Sequence, residues 1–331
     1  MKNYSPSNDQ GGIQLPVARV KVRCPENSRL QRLTARSFFS AAKAAVSIPC
    51  IAGLIFVVSV VDADARRRDR DRPWHEGASE VKVWTYPDSF RDSLREANDI
   101  GPNIALRNYQ KYPFQKREKL VFVGGWGFIS AGFGIMEAHP TKENPNVLSI
   151  GAKGFTNRFV SAFKKVRDYA HARVDANGFY PLFFEQHLHE EDYRDHRWTI
   201  YDHQKGRVFT QKTQDSSTDA SAFTHNLLSL LYYIRTMDYA PGDSFTVMCF
   251  VHEKDYPLHF NVLKREKIEV PAGDFTCLKL KPRLVGDGRG FTKRDEMYIW
   301  VTDDEHHMPV LVKAKAKLGH LWAELIHYER D

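Results

Sequence analysis

Asp243-Ser-Phe-Thr-Val-Met-Cys-Phe-Val251 places Phe245, Val247, Cys249 and Val251 at every second position, and Met297-Tyr-Ile-Trp-Val301 repeats the pattern with Met297, Ile299 and Val301. Alternation of this kind gives a strand one apolar face, as in an antiparallel sheet with one side buried. Outward from these two stretches, segments rich in Val, Ile, Phe, Tyr and Trp recur from Glu118 onward at about ten-residue spacing. Between them lie turn formers such as Asn177-Gly178, Gly206, Pro241-Gly242-Asp243 and Gly286-Asp287-Gly288. Strands are predicted near residues 118–128, 131–138, 147–153, 164–174, 180–190, 194–202, 205–211, 243–251, 258–270, 273–283, 294–302, 307–316 and 318–328. Gly124, Gly125, Gly127, Gly132 and Gly134 interrupt the first hairpin, where they predict bends, bulges or close backbone approach.

One segment departs from the period of two. Phe223, Leu227, Leu230, Leu231 and Ile234 fall at helical spacing, with Asp219 as a candidate N-cap and Pro241-Gly242 beyond the end. This predicts one amphipathic helix over about 219–237, and Phe155, Phe159 and Phe163 predict a second, shorter one. Large open sheets curl or close to hide their edges. The expected fold is therefore mainly β: a strongly curved antiparallel sheet or incomplete barrel with the amphipathic helix packed on it.

The N-terminal part reads differently. Residues 1–65 carry eight Lys or Arg against four acids, then an uncharged run from Ala44 to Val61, then Ala63-Asp64-Ala65. Basic region, apolar region and small-residue cleavage site in that order predict a signal peptide cleaved after Ala65, or an uncleaved membrane anchor at residues 44–61. The expected location is the periplasm or the extracellular space after Sec-type export, or the inner membrane if the anchor is kept. Residues 66–115 open on the Arg/Asp-alternating run Arg66 to Arg72 and carry Pro87, Pro102 and Pro113, which predicts a charged arm with a helix around Phe90 to Ala97. Residues 116–331 form the β-rich domain.

The net charge of +7 divides along the same boundary. The leader carries +4, and residues 66–331 carry 40 Lys plus Arg against 37 acids, so a nucleic-acid partner has no electrostatic basis. Cys249 and Cys277 remain in the exported part, and the strand predicted between theirs holds them too far apart for a bridge.

Glu118-Lys-Leu-Val-Phe-Val-Gly-Gly-Trp-Gly-Phe-Ile-Ser-Ala-Gly-Phe-Gly134, Leu228-Ser-Leu-Leu-Tyr-Tyr-Ile-Arg235, Pro241-Gly-Asp243, Val270-Pro-Ala-Gly273 and Ile299-Trp-Val-Thr-Asp-Asp304 with Met308-Pro309 together resemble a bacterial envelope family catalogued as domain of unknown function 3108. The resemblance covers roughly residues 115 to 329 and implies a secreted or periplasmic β-rich domain, with no established catalytic residues. Where the family helix carries an acid shortly before the Leu-Ser pair, this chain has Asn226.

Three groups of residues are chemically suggestive. His187, His189 and His196, with Glu185 or Glu191, have the two-residue spacing of β-sheet metal sites. Asp303, Asp304, Glu305, His306 and His307 are open to acid, base or metal roles but read first as turn formers. Arg235 closes the helix and must be paired or face an anionic ligand group if buried, with Asp243 the expected partner. Lys313, Lys315 and Lys317 alternate on one strand face, a pattern of solvated or edge-protecting lysines that anionic headgroups would also fit. There is no Gly-x-Ser-x-Gly, dinucleotide fingerprint, phosphate loop or His-Glu-x-x-His, and no cofactor is expected. The sequence thus predicts a non-enzymatic binding or scaffold module of the envelope. Trp126, Tyr232, Arg235 and Trp300 are its candidate contacts, within an apolar groove, with Phe122, Phe128 and Trp322, for a lipid or other amphipathic molecule; envelope proteins are further candidate partners. The alternative is a metal-dependent hydrolase using the histidine-rich loops.

Overall fold

The computed structural model describes residues 116–142, 144–211, 217–251, 253–284, 296–315 and 319–331. The leader, the arm with its helix at 90–97, the turn at 286–288 and Lys317 lie outside them. The described residues build one sheet of 14 strands: β1 Glu118–Trp126, β2 Ile129–Pro140, β3 Val147–Thr156, β4 Arg167–Asp175, β5 Pro181–Glu190, β6 Tyr193–Asp202, β7 Arg207–Thr210, β8 Thr218–Asp219, β9 Ser244–Val251, β10 Lys254–Val270, β11 Gly273–Leu284, β12 Met297–Thr302, β13 Pro309–Lys315 and β14 His320–Arg330. The order is β8-β7-β6-β5-β4-β3-β2-β1-β14-β13-β12-β11-β10-β9, so the first and last strands pair in the middle and a meander runs outward on each side. Every pairing is antiparallel.

Alternation places the buried face. Leu120 and Phe122 of β1, Leu148 and Ile150 of β3, Leu278 and Leu280 of β11, and Ala323 and Leu325 of β14 all lie in one core. The expected glycine irregularities occur. The β1–β2 register slips between Gly124 and Gly125, and a side chain at Gly125 would collide with the Trp322 ring and the Ile129 carbonyl.

The ends of the sheet turn toward each other, and Tyr201 of β6 packs edge-on against Phe250 of β9 at 6.4 Å. No ladder joins β8 to β9 among the described residues, and the segment after β8 spans the gap. The Ala220 N–H donates to the Gly206 carbonyl (2.9 Å), and His225 exchanges backbone bonds with Met248 (2.9 Å) and Phe250 (2.7 Å). Asp255 of β10 accepts from the Ser221 N–H and, at 2.7 Å, from Thr224 Oγ1. This is the incomplete barrel expected, with its seam stitched by an irregular strap.

The long helix is a correction. Helix α1 is only Arg158–Ser161 and α2 only Leu227–Ile234. Asp219 lies in β8, and Phe223 has φ 59° and packs on Tyr180, outside any helix. The N-cap of α2 is Asn226, whose Oδ1 accepts from the Ser229 N–H at 2.8 Å, which gives this position a capping role in the absence of a charge. Nor is α2 amphipathic in place: Leu228 through Ile234 are all buried, the mark of a helix surrounded by apolar walls. It packs against β3, β4 and β9, and Ala152, Ala170 and Ala172 of the first two belong to the same core.

Arg235, the C-cap of α2, is fully buried, and its partner is Glu118, correcting the expected pairing with Asp243. Both guanidinium Nη atoms donate to the two Glu118 oxygens at 2.8 Å. Nε donates to the His306 carbonyl at 3.1 Å, and Arg330 of β14 adds a second cation to Glu118 at 3.0 Å. Asp243 instead accepts from the Ala240 N–H at 2.7 Å. Burial opposes ionisation of Glu118, but Arg235 and Arg330 outweigh it and hold the carboxyl below its ordinary range. Cys249 and Cys277 are free and buried, as their separation on non-adjacent strands requires.

These contacts can be tested by substitution. Arg235→Met leaves Glu118 with half its compensation in the core and should cost about 3–5 kcal/mol in denaturant unfolding. Because the folded Glu118 value is depressed, its contribution is present above the unfolded carboxyl value and lost as pH falls through the folded one. Glu118→Gln should therefore flatten the acid limb of the stability–pH curve. Asp255→Ala removes two bonds to a charged acceptor, about 1.5–3 kcal/mol each. Hydrogen exchange should then accelerate over 218–226 before it does in β1 or β14, and uniform acceleration would show that the strap opens only with the whole sheet.

Candidate functional site

The candidate metal residues lie on the outer face of β4, β5 and β6. Along β5, Gln186, Leu188 and Glu190 point to the buried side, so Glu185, His187 and His189 share the outer one. Register then selects their neighbours. Tyr169 of β4 and His196 of β6 flank His187; His171 and Trp198 flank Glu185; Arg194 flanks His189.

Glu185 is the centre. Its Oε2 lies 3.2 Å from His187 Nε2 and 3.8 Å from His196 Nε2, and its Oε1 lies 3.6 Å from His171 Nδ1. The His187 and His196 rings stack at 4.0 Å and 16°. Burial opposes the Glu185 charge, but hydrogen bonding to His171, His187 and His196 outweighs it and holds the carboxyl far below the usual carboxylate range. His189 stands apart. Burial and the nearby Arg194, His187 and Lys165 push its pKa down, and no carboxylate joins it in the cluster. The sequence reading missed His171, sixteen residues upstream of His187 on a neighbouring strand. The outward alternation Tyr169-x-His171 beside Glu185-x-His187 was the signal that could have found it.

The candidate lipid contacts are divided among three places. Tyr232 and Arg235 are inside, with the guanidinium carbon 4.9 Å from the Tyr232 ring centroid. Trp300 is buried in the same core at β12, where its Nε1 donates to Glu266 at 2.6 Å and Lys279 Nζ sits 4.7 Å from the ring. Trp126 ends β1, eight residues from Glu118 and roughly 25 Å away at strand rise. Phe122 is in the core, and Trp322 Nε1 donates to the Gly127 carbonyl at 2.8 Å. Tyr232, Arg235, Trp300 and Phe122 are buried, and Phe128 is 93% exposed at the β1–β2 turn, so these residues do not line one surface.

The turn cluster forms a structured bend. Asp304 Oδ1 accepts from Thr302 Oγ1 (2.7 Å), His306 N (3.0 Å) and His307 N (3.2 Å), an Asx-type turn, while Asp303 pairs with Arg265. The bend aims the His306 carbonyl at Arg235.

One further surface was not read from sequence. Phe128, Phe159 and Phe163 are 93%, 61% and 59% exposed. Phe128 tips the β1–β2 turn, and α1, after β3, emerges at the same end of the sheet. Asn157 locks the two together: its N–H and Nδ2 donate to the Ala131 and Ser130 carbonyls at 2.9 and 2.7 Å, and its Oδ1 caps α1 by accepting from Val160 N at 2.9 Å. Arg158, Lys165 and Arg167 are exposed beside the phenylalanines, and residues 157–167 hold four cations and no acid. No helix of the described residues is long and apolar enough to cross a membrane.

Among solved structures, a β-barrel-like protein of domain of unknown function DUF1849 from Brucella abortus aligns with a TM-score of 0.48 at 7% identity, covering 66% of this chain and 99% of that one. A Bacteroides fragilis protein described as exported, with a YmcC-like fold, aligns with a TM-score of 0.31 at 12% identity, covering 66% and 98%. No curated protein matches the chain. Residues 121–326 match the family described as protein of unknown function, DUF3108, across the whole run of strands from β1 to β14, and the chain belongs to that family.

Proposed function

We propose that this chain is an exported envelope protein that acts without catalysis, as a binding module whose partner is an anionic lipid surface met by the rim at Phe128, Phe159 and Phe163. The export part rests on the leader-like order of residues 1–65. The observation that carries the lipid part is the exposure of these three large apolar rings at one end of the sheet, bordered by Arg158, Lys165 and Arg167. Exposed large apolar residues rimmed by charge are the pattern of interaction sites. Aromatic rings enter the headgroup boundary, and each cation near an anionic surface adds about 1 kcal/mol.

The alternative of a hydrolase has weaker support. The acidic and histidine turn at 303–307 is committed to its own bend and to Arg235, and its histidines do not join the group of Glu185, His187 and His196.

Residues 66–331, the form left by cleavage after Ala65, should co-sediment with phosphatidylglycerol-containing vesicles, and less so as salt rises. The triple variant Phe128→Ser, Phe159→Ser, Phe163→Ser should bind at least about tenfold more weakly, the scale of losing the burial of even one large apolar ring. Wild-type protein that ignores these vesicles, or a variant that binds equally, would sink the lipid reading and leave a scaffold.

A further inference from the structure

We infer that Glu185, His187 and His196 form a binding site for a divalent transition ion of the zinc class, with His171 as the residue that positions its carboxylate. The inference is independent of the lipid-facing rim. One ligand atom from each of the three residues lies within 4.8 Å of the other two. A tetrahedral zinc ion with ligands at about 2.0–2.2 Å needs donors roughly 3.3–3.6 Å apart. The Glu185–His187 and Glu185–His196 separations of 3.2 and 3.8 Å bracket that spacing, so small rotations would complete the site. Both Nε2 atoms lie near Glu185 Oε2; the rings stack near-parallel, so each must tilt for the two lone pairs to converge on one ion.

The surroundings complete the chemistry. Ser149 Oγ lies 2.9 Å from His171 Nε2, and His171 Nδ1 lies 3.6 Å from Glu185 Oε1. His171 Nδ1 thus faces Oε1 and leaves Oε2 for the ion. Outer contacts that orient a ligating carboxylate raise metal affinity. The side chains of His187, His196 and Glu185 are 38%, 26% and 25% exposed, so the ion reaches them from solvent and water takes the fourth position. Two imidazoles and one carboxylate suit zinc, while magnesium and calcium prefer an all-oxygen set. His189 is excluded, since Arg194 lies opposite it and Lys165 nearby.

The test is titration of the untagged, chelator-treated full chain with Zn(II), and with Co(II) to read coordination from its visible spectrum. One tight equivalent and an intense four-coordinate Co(II) spectrum are expected. His187→Ala, His196→Ala and Glu185→Gln should each remove that equivalent, and His171→Ala should weaken it about 10–100-fold. His189→Ala should leave it unchanged, with far-UV circular dichroism confirming that each variant is folded. No stoichiometric uptake by the wild type, undiminished uptake by a folded His187→Ala, His196→Ala double variant, or loss in His189→Ala equal to that in His187→Ala would each overturn the inference.

Discussion

The contact between Arg235 and Glu118 ties the end of the buried helix to the first strand and the last. Its partners are 117 residues apart, and Arg330 reaches the same carboxylate from 212 residues away. A guanidinium placed at the inner end of α2 would carry a prohibitive desolvation cost alone, so burying α2 depends on Glu118 being in place at the head of β1. Glu118 is in turn set by the pairing of β1 with β14, the central pair of the sheet. The His306 carbonyl adds the β12–β13 bend to the same point. Helix insertion, docking of the first strand on the last, and one bend are therefore coupled through a single buried side chain.

That coupling separates what the sequence could show from what it could not. Strands with one buried face advertise themselves through the period of two, so all of them but the two-residue β8 were legible, several to within one or two residues. Helix α2 was legible in kind but misjudged in extent, because the spacing from Phe223 to Leu227 happens to match a helical turn. Phe223 serves another cluster, beside Tyr180 and His203, and the strap it belongs to is shaped by backbone bonds to β9 and by Asp255. Those bonds join residues more than twenty positions apart, which local periodicity does not register. The partner of Arg235 was hidden for the same reason: Asp243 was near in sequence, Glu118 near in space.

The aromatic residues show the same limit from another side. An abundance of Phe, Tyr and Trp fits a ligand groove and a packed core equally well, and only the placement of α2 distinguishes them. With the helix inside, Phe122, Tyr232 and Trp300 are all core, Trp300 with its indole N–H on Glu266 and Lys279 over its ring. The rings left most exposed are Phe128 in a turn, Phe159 on α1 and Phe163 just beyond it; the spacing of the last two marked the short helix but not that these rings stay uncovered. Burial cost, more than residue type, decides which aromatics stay available to a partner.

The histidine cluster depends on this same interior although none of its side chains lies there. In a strand pair a slip of one residue reverses which side chains share a face. Here β5 and β6 are joined through Glu191 and Asp192, with Glu191 at φ 53°, and that turn sets Glu190 opposite Tyr193 and hence His187 opposite His196. The inward Leu188 of β5 would have to surface for the pairing to shift, so the core locks the register. The same constraint sets Arg194 against His189 and separates two histidines that the sequence presents as equivalent. What distinguishes them is the strand opposite, fixed by apolar residues on the far side of the sheet.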